Sequence, residues 1–184
     1  MKYAALFRGI NVGGKNLVKM DDLKRLFLDL GLSSVRTYIQ SGNAVFETNL
    51  EEAALQKTIH AGFSERFRLK GDVIIRNIDE IKALIDSLPF SAAEIAAAEA
   101  ADPQVEHLYV YFLDHPHEQV QIDSLCRENT GPDLLRMGIR EGYLLCCQSI
   151  RKSKLALRAA REFDSATVRN WKTVVKLYDM LTAL

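Results

Sequence analysis

Three cysteines in 184 residues are too few for a disulfide framework, and their placement carries no metal-ligand spacing: Cys126 stands alone, and Cys146 and Cys147 are adjacent in an apolar run. Free thiols buried in the core are expected. No apolar run approaches the roughly 18 residues that span a bilayer. The apolar stretch in MKYAALFRG is too short for a signal peptide and has no small-residue cleavage site behind it, so a cytoplasmic protein without a membrane partner is expected. Net charge is also lacking, with 24 Lys+Arg against 24 Asp+Glu, which excludes a bulk nucleic-acid binder. No Ser-His-Asp or Cys-His set is visible, and no metal or cofactor is called for.

The chain has enough apolar residues, at 48%, to build a sizeable core. Its charge is unevenly spread. Residues 1–48 hold seven basic against four acidic side chains and 151–184 eight against three, while 49–106 (six against eleven) and 107–150 (three against six) are acidic. Two basic ends around an acidic middle permit a local anion-binding surface.

Hydrophobic periodicity organises the chain. Residues 2–8 read as a strand and Met20–Leu30 as a helix, with Met20, Leu23, Phe27 and Leu30 on one stripe and Gly31 as its stop. VRTYIQ and NAVFE read as a hairpin around Ser41–Gly42, 51–68 as a helix and 72–76 as a strand, which together give the ferredoxin-like order β-α-β-β-α-β. After short helices near 79–88 and 91–101 the pattern restarts: a strand at 108–113, a helix at 117–129, a hairpin of LLRMGIR and YLLCCQ around Glu141–Gly142, and helices at 153–163 and 168–182. The expectation is an α+β fold of two ferredoxin-like-related subdomains from a duplicated β-α-β-β-α pattern with antiparallel-rich sheets. The first subdomain would cover 1–76, a helical connector 77–104, and the second subdomain with its C-terminal helix 105–184.

The first strand runs into GINVGGKN (9–16), which matches the phosphate-loop pattern G-x-x-x-x-G-K until Asn16 replaces the Ser or Thr that holds magnesium. A phosphate loop opens a helix directly and needs parallel crossover units; here the helix starts only near Met20 and a hairpin follows. Asp114, at the end of LYVYFLD, is the one candidate for a metal-binding Asp, and many strands end that way. Nucleotide hydrolysis is therefore set aside. What survives is a backbone anion nest of Gly9, Gly13 and Gly14 flanked by Arg8, Asn11 and Lys15.

RGINVGGKN (8–16), RTYIQSGNAVF (36–46), SKL (153–155) and TVRNWKTVVKL (167–177) together resemble domain-of-unknown-function family 1697 over nearly the whole chain. The resemblance implies two α+β subdomains, each somewhat ferredoxin-like, in mainly bacterial proteins; it implies no activity. The chain departs from the family pattern before SKL, where QSIRK (148–152) stands in place of a segment that often holds glycine.

Other residues complete the candidate surface. A tight Ser41–Gly42 turn pairs Gln40 with Asn43, Tyr38 with Val45 and Arg36 with Glu47, the last as a cross-strand ion pair, and sets Tyr38, Gln40 and Asn43 on an open face or groove. An RNA-recognition module is not indicated, since SGNAVFE lacks its aromatics. Arg151, Lys154, Arg158 and Arg161 lie at helical spacing, as do Arg169, Lys172 and Lys176, with Thr167 as an N-cap, Arg169 and Asn170 in the first turn, and Trp171 toward the core. Ser149–Lys152 fits S-x-x-K without its partner motifs, and His115-Pro-His117-Glu118 reads as a polar turn.

The sequence thus points to a non-catalytic binder of a phosphate-bearing or other anionic ligand, with nucleotide or RNA possible. Arg8, Gly9, Asn11, Gly13, Gly14, Lys15, Tyr38, Gln40, Asn43, Arg169, Asn170 and Lys172 are its candidate contacts. The alternatives are a small-molecule enzyme with its site between the subdomains and a protein-interaction module using the basic C-terminal helices.

Overall fold

The computed structural model describes residues 1–117, 122, 125–127, 129 and 131–184. The expected helix over 117–129, and Glu118 of the His-Pro-His-Glu turn, fall largely or wholly outside the described residues. Two compact units are present: Met1–Ala83 with Val175–Leu184, and Leu84–Val174. Each is built on a four-stranded antiparallel sheet.

In the first unit β1 (Lys2–Phe7) runs into α1 (Met20–Asp29), then β2 (Ser33–Tyr38), β3 (Asn43–Glu47), α2 (Glu52–Phe67) and β4 (Val73–Asn77). The sheet order is β2-β3-β1-β4, the ferredoxin-like arrangement. Tyr3, Ala5 and Phe7 of β1 face the same core as Phe46, Val73 and Ile75, and α1 and α2 close it with Leu23, Phe27, Ile59 and Phe63. Phe7 lies 4.7 Å from Phe63, and Phe27 meets Phe46 edge-on at 5.2 Å. Such pairs add about 0.5–1.5 kcal/mol beyond their buried area.

The other face of this sheet is buried as well. Ala4, Leu6, Asn43, Val45, Ile74 and Arg76 are all under 5% exposed. The open face expected for Tyr38, Gln40 and Asn43 is therefore not open at Asn43. Residues 175–184, which belong to this unit, are tied to the sheet where Lys2 Nζ donates to Thr182 O (3.4 Å) and Arg36 Nη2 to Ala183 O (3.2 Å).

The second unit repeats the plan. α3 (Ile78–Asp86), of which residues 78–83 belong to the first unit, and α4 (Ala92–Ala101) lead to β5 (Leu108–Phe112), β6 (Leu134–Met137), β7 (Glu141–Leu145), α5 (Lys154–Glu162), β8 (Thr167–Asn170) and α6 (Trp171–Thr182), of which residues 175–182 belong to the first unit. The order β6-β7-β5-β8 matches the first sheet element for element. Its core gathers Tyr111, Leu113, Leu144, Leu155, Ala159 and Phe163. The turn before α5 forms without glycine, as Lys152 N–H donates to Ser149 O and Ser153 N–H to Ile150 O.

Two local expectations are corrected. Thr167–Asn170 is a strand antiparallel to β5, not the first turn of a helix, because Val110 and Phe112 offer it an edge to pair with. The second unit thereby gains an edge strand that its periodicity alone hides. The second hairpin turns at Gly138–Arg140, and Gly142 sits inside β7 opposite Met137. Glu141 closes that turn: its carbonyl accepts Gly138 N–H, and its carboxylate accepts Ile139 and Arg140 N–H.

The duplication reaches the strand-to-helix junctions. Arg76–Asn77 ends β4 and Arg169–Asn170 ends β8, paired across the sheet with Ala4–Tyr3 and Val110–Tyr109 respectively. Asn77 Oδ1 accepts Glu80 N–H while Glu80 Oε2 accepts Asn77 N–H, both at 2.9 Å; Asn170 Oδ1 accepts Thr173 N–H at 2.9 Å. Each asparagine starts the following helix as its cap. Asn170→Ala is expected to cost about 1 kcal/mol in urea unfolding, with Asn170→Ser recovering most of it.

Within the second unit, Arg136 on β6 grips Glu94 of α4 through Nη2–Oε1 (2.5 Å) and Nη1–Oε2 (3.1 Å), and Glu94 also completes a capping box with Ser91. The Arg136 hydrogen bonds, followed by those from Ser91, pull the Glu94 carboxyl from 4.5 down to about 2. A carboxyl lowered on folding stabilises the native state above its ordinary range and loses that contribution as it is protonated. The gap in urea midpoint between the parent and Glu94→Gln is therefore expected to be constant at neutral pH and to close as pH falls from 4.5 to about 2.

Candidate functional site

The glycine-rich segment is a miniature hairpin rather than a phosphate loop. Val12 and Lys15 bridge, Lys15 N–H donates to Val12 O (3.0 Å) and Asn11 N–H to Asn16 O (3.1 Å). Gly13 (φ +58°) and Gly14 (φ +74°) form its two-residue turn, where both central positions need positive φ. The glycines thus serve tight reversal first, and the Asn11 and Lys15 amides close the hairpin instead of converging as a nest. α1 begins only at Met20.

Asn11 is the hub. Its Nδ2 donates to Val18 O and to Gln40 O, and its Oδ1 accepts Val18 N–H, each at 2.8 Å. Asn16 Nδ2 reaches back to Gly9 O at 2.9 Å. These bonds brace the loop and leave Arg8, Gly9, Gly13, Gly14, Lys15 and Lys19 exposed. Exposed with them are two apolar side chains, Val12 at 65% and Leu17 at 74%.

The second loop meets this one through Gln40. The β2–β3 register is Tyr38 with Asn43 and Arg36 with Val45, so the loop spans four residues, Ile39 to Gly42, not two. A shift of two residues keeps the side chains that remain in the strands on their expected faces, whereas a shift of one would have reversed them. The Arg36–Glu47 pair does not form: a bulge at Ser34 (φ +54°) sets Ser33 opposite Glu47, whose carboxylate accepts from Ser34 Oγ (2.5 Å). Gly42 accepts Phe7 N–H at 2.8 Å, and any Cβ on it would run into the Ile10 side chain. Asn43, fully buried, donates Nδ2 to Tyr38 O and Ser41 Oγ, closing its own turn. Tyr38 is half-buried and Gln40 exposed.

Beside the base of the hairpin lies a cleft of about 600 Å³ lined by His60, Ser64, Arg68, Leu69, Lys70 and Asp72. Arg8 N–H donates to Asp72 O at 2.9 Å, which puts Arg8 at its edge. Sequence reading missed these residues because they come from the end of α2 and the approach to β4, a stretch with no motif. The available signal was the run Arg66, Arg68, Lys70 ahead of an apolar strand.

The candidates in the second unit do not present charge in the expected way. Arg169 sits in β8 at 7% exposure, its Nη1 donating to Thr167 Oγ1 and Val168 O at 2.8 Å, and burial pushes its guanidinium down to about 10. Asn170 caps α6, and Lys172 pairs with Glu106 (2.6 Å). Arg151 lies ahead of α5 and Arg169 in a strand, so the basic stripes keep Lys154, Arg158 and Arg161 on α5 and Lys172 and Lys176 on α6. Cys146 is buried and its thiol is pushed up to about 12 by desolvation, and Cys126 and Cys147 are half-buried and form no disulfide. Among the described residues no helix is long and apolar enough to cross a membrane.

Two copies of a ferredoxin-like sheet, with the Asn11-braced loop at the end of the first β-strand, define a duplicated α+β protein. The chain belongs to the family described as "Protein of unknown function (DUF1697)", whose model matches residues 1–143. It is similar to the solved structure of the conserved bacterial protein SP0830 from Streptococcus pneumoniae, with 25% identity, a TM-score of 0.76 and 98% of each chain covered. No curated protein matches it.

Asn11→Ala strips three hydrogen bonds from the loop at once. It is expected to destabilise the protein by about 1–3 kcal/mol in denaturant unfolding and to speed proteolytic cleavage between residues 9 and 19.

Proposed function

We propose that the protein binds a phosphate-bearing or other anionic ligand, a nucleotide or a short RNA segment, at the glycine hairpin of its first unit. The observation that carries this reading is the braced display of Arg8, Lys15 and Lys19 around the Asn11 hub, in a stretch from residue 8 to residue 20 that holds no carboxylate. A preorganised loop loses little conformational freedom on binding, so its cations act at low entropic cost. Gln40 adds an exposed amide from the neighbouring loop, and exposed Val12 and Leu17 offer apolar contact to a base or sugar. Arg68 and Lys70 extend the cationic surface from the adjoining cleft, which Asp72 also lines. Arg169 and Asn170 have structural work of their own, so the reading rests on the first unit.

A thermal-shift series with nucleotides, sugar phosphates and short RNAs tests it. One of these classes is expected to raise the melting temperature, since a ligand at 100 times its Kd stabilises by about 2.7 kcal/mol. The shift should shrink with added salt and disappear in Lys15→Glu, whose exposed side chain leaves the unliganded melting temperature unchanged. No shift at millimolar ligand, or an equal shift in Lys15→Glu, would falsify the reading.

A further inference from the structure

The second unit holds a cleft of about 500 Å³ that the anion-binding reading does not use. Its walls come from the α4 region and from the segment joining α4 to β5, with the start of α6 opposite. Leu88, Ile95 and Val105 are each half-buried there, and Trp171, also half-buried, lines the same space. Trp171 was expected in the core; it is partly exposed because β8 ends at Asn170 and α6 starts with the tryptophan itself. The volume lies within the range of small-molecule pockets, which are apolar with a few placed polar groups.

Among the Lys and Glu side chains lining this cleft, Glu99 is the one without an ion-pair partner among the described residues. Lys172 is neutralised by Glu106 at 2.6 Å, with its ammonium held by that hydrogen bond. His107 is buried and turns both ring nitrogens to backbone carbonyls, Nδ1 to Cys146 O (2.6 Å) and Nε2 to Asp102 O (3.0 Å). These contacts pin the 102–107 segment to the end of β7 and leave the ring no atom to offer a ligand. Glu99, exposed on α4 at the rim of an apolar floor, has no cationic partner among the described residues.

We propose that this cleft is a second binding site, for a small apolar cation such as an arylalkylamine. Its ring packs against Trp171, Leu88, Ile95 and Val105, and its ammonium meets Glu99. A tryptophan face and a carboxylate are the pairing that selects a cation carrying an apolar body. The site is independent of the hairpin in the first unit and opposite to it in charge preference.

Trp171 is the only tryptophan in the chain, so its emission reports this cleft directly. Titration of the full chain with 2-phenylethylamine is expected to change that emission saturably, with 3-phenylpropionate, the anionic counterpart, binding at least about tenfold more weakly. Glu99→Gln is expected to weaken the amine about fivefold while leaving the melting temperature unchanged. Lys172→Ala, which releases Glu106 to the cleft, is expected to strengthen it about threefold. A merely apolar cleft would bind both probes alike and ignore both substitutions. That result, a non-saturating response to the amine, or a weakening by Lys172→Ala would overturn the proposal, and none of them bears on phosphate binding at the hairpin.

Discussion

Each sheet in this protein has a central strand buried on both faces, and most of the remaining architecture answers to that. Residues 3–7 of β1 are all under 3% exposed, and β5 holds Val110, Tyr111 and Phe112 at a similar level. A strand in that position cannot alternate apolar and polar side chains; it must be apolar throughout, as AALF and VYFL are. Its backbone groups must also be paired on both edges, since an unmade buried hydrogen bond costs about 1–3 kcal/mol. The pairing of β8 with β5 meets that demand in the second unit, as β4 meets it for β1 in the first.

The same demand explains the buried arginines. Arg76 and Arg169 occupy equivalent positions on the face of each sheet opposite the aromatic core, next to asparagines that start the following helices. A guanidinium taken out of water is costly unless hydrogen-bonded, and both donate to backbone carbonyls at 2.8 Å close to their own position. An arginine that looked like a ligand contact by its charge is therefore part of the sheet. Its neighbour, the asparagine, does what asparagines do best at a chain reversal: it ends one element and begins the next.

The loops at the end of the first sheet show a different economy. Gly13, Gly14 and Gly42 allow two tight reversals, and Asn11 and Asn43 use their amides to lock them. Once the asparagines carry the structure, the charged side chains around them are free of structural duty, which is what a recognition surface needs. In the second unit the turn at Gly138–Arg140 is closed by Glu141, and one concave surface lies where Trp171 begins α6.

Much of this was legible in the amino-acid order. Periodicity placed α1, α2, α4 and the strands β1, β3, β4 and β5 near their observed limits, and the repeated order of elements announced two related halves, because amphipathic spacing is a local property of the chain. Register and strand identity were not legible. Tyr38 pairs with Asn43 rather than Val45 because loop length is decided by packing of Gly42 against Ile10. TVRN, which has both a helical charge stripe and β-branched residues, becomes a strand because β5 offers it an edge. The candidate site divided along the same line. The glycine hairpin and its cations could be named from sequence, since turn chemistry is local. The hydrogen bonds that engage Arg169 and Lys172, and the clefts beside Arg68 and Trp171, depended on which distant segments the tertiary structure brought together.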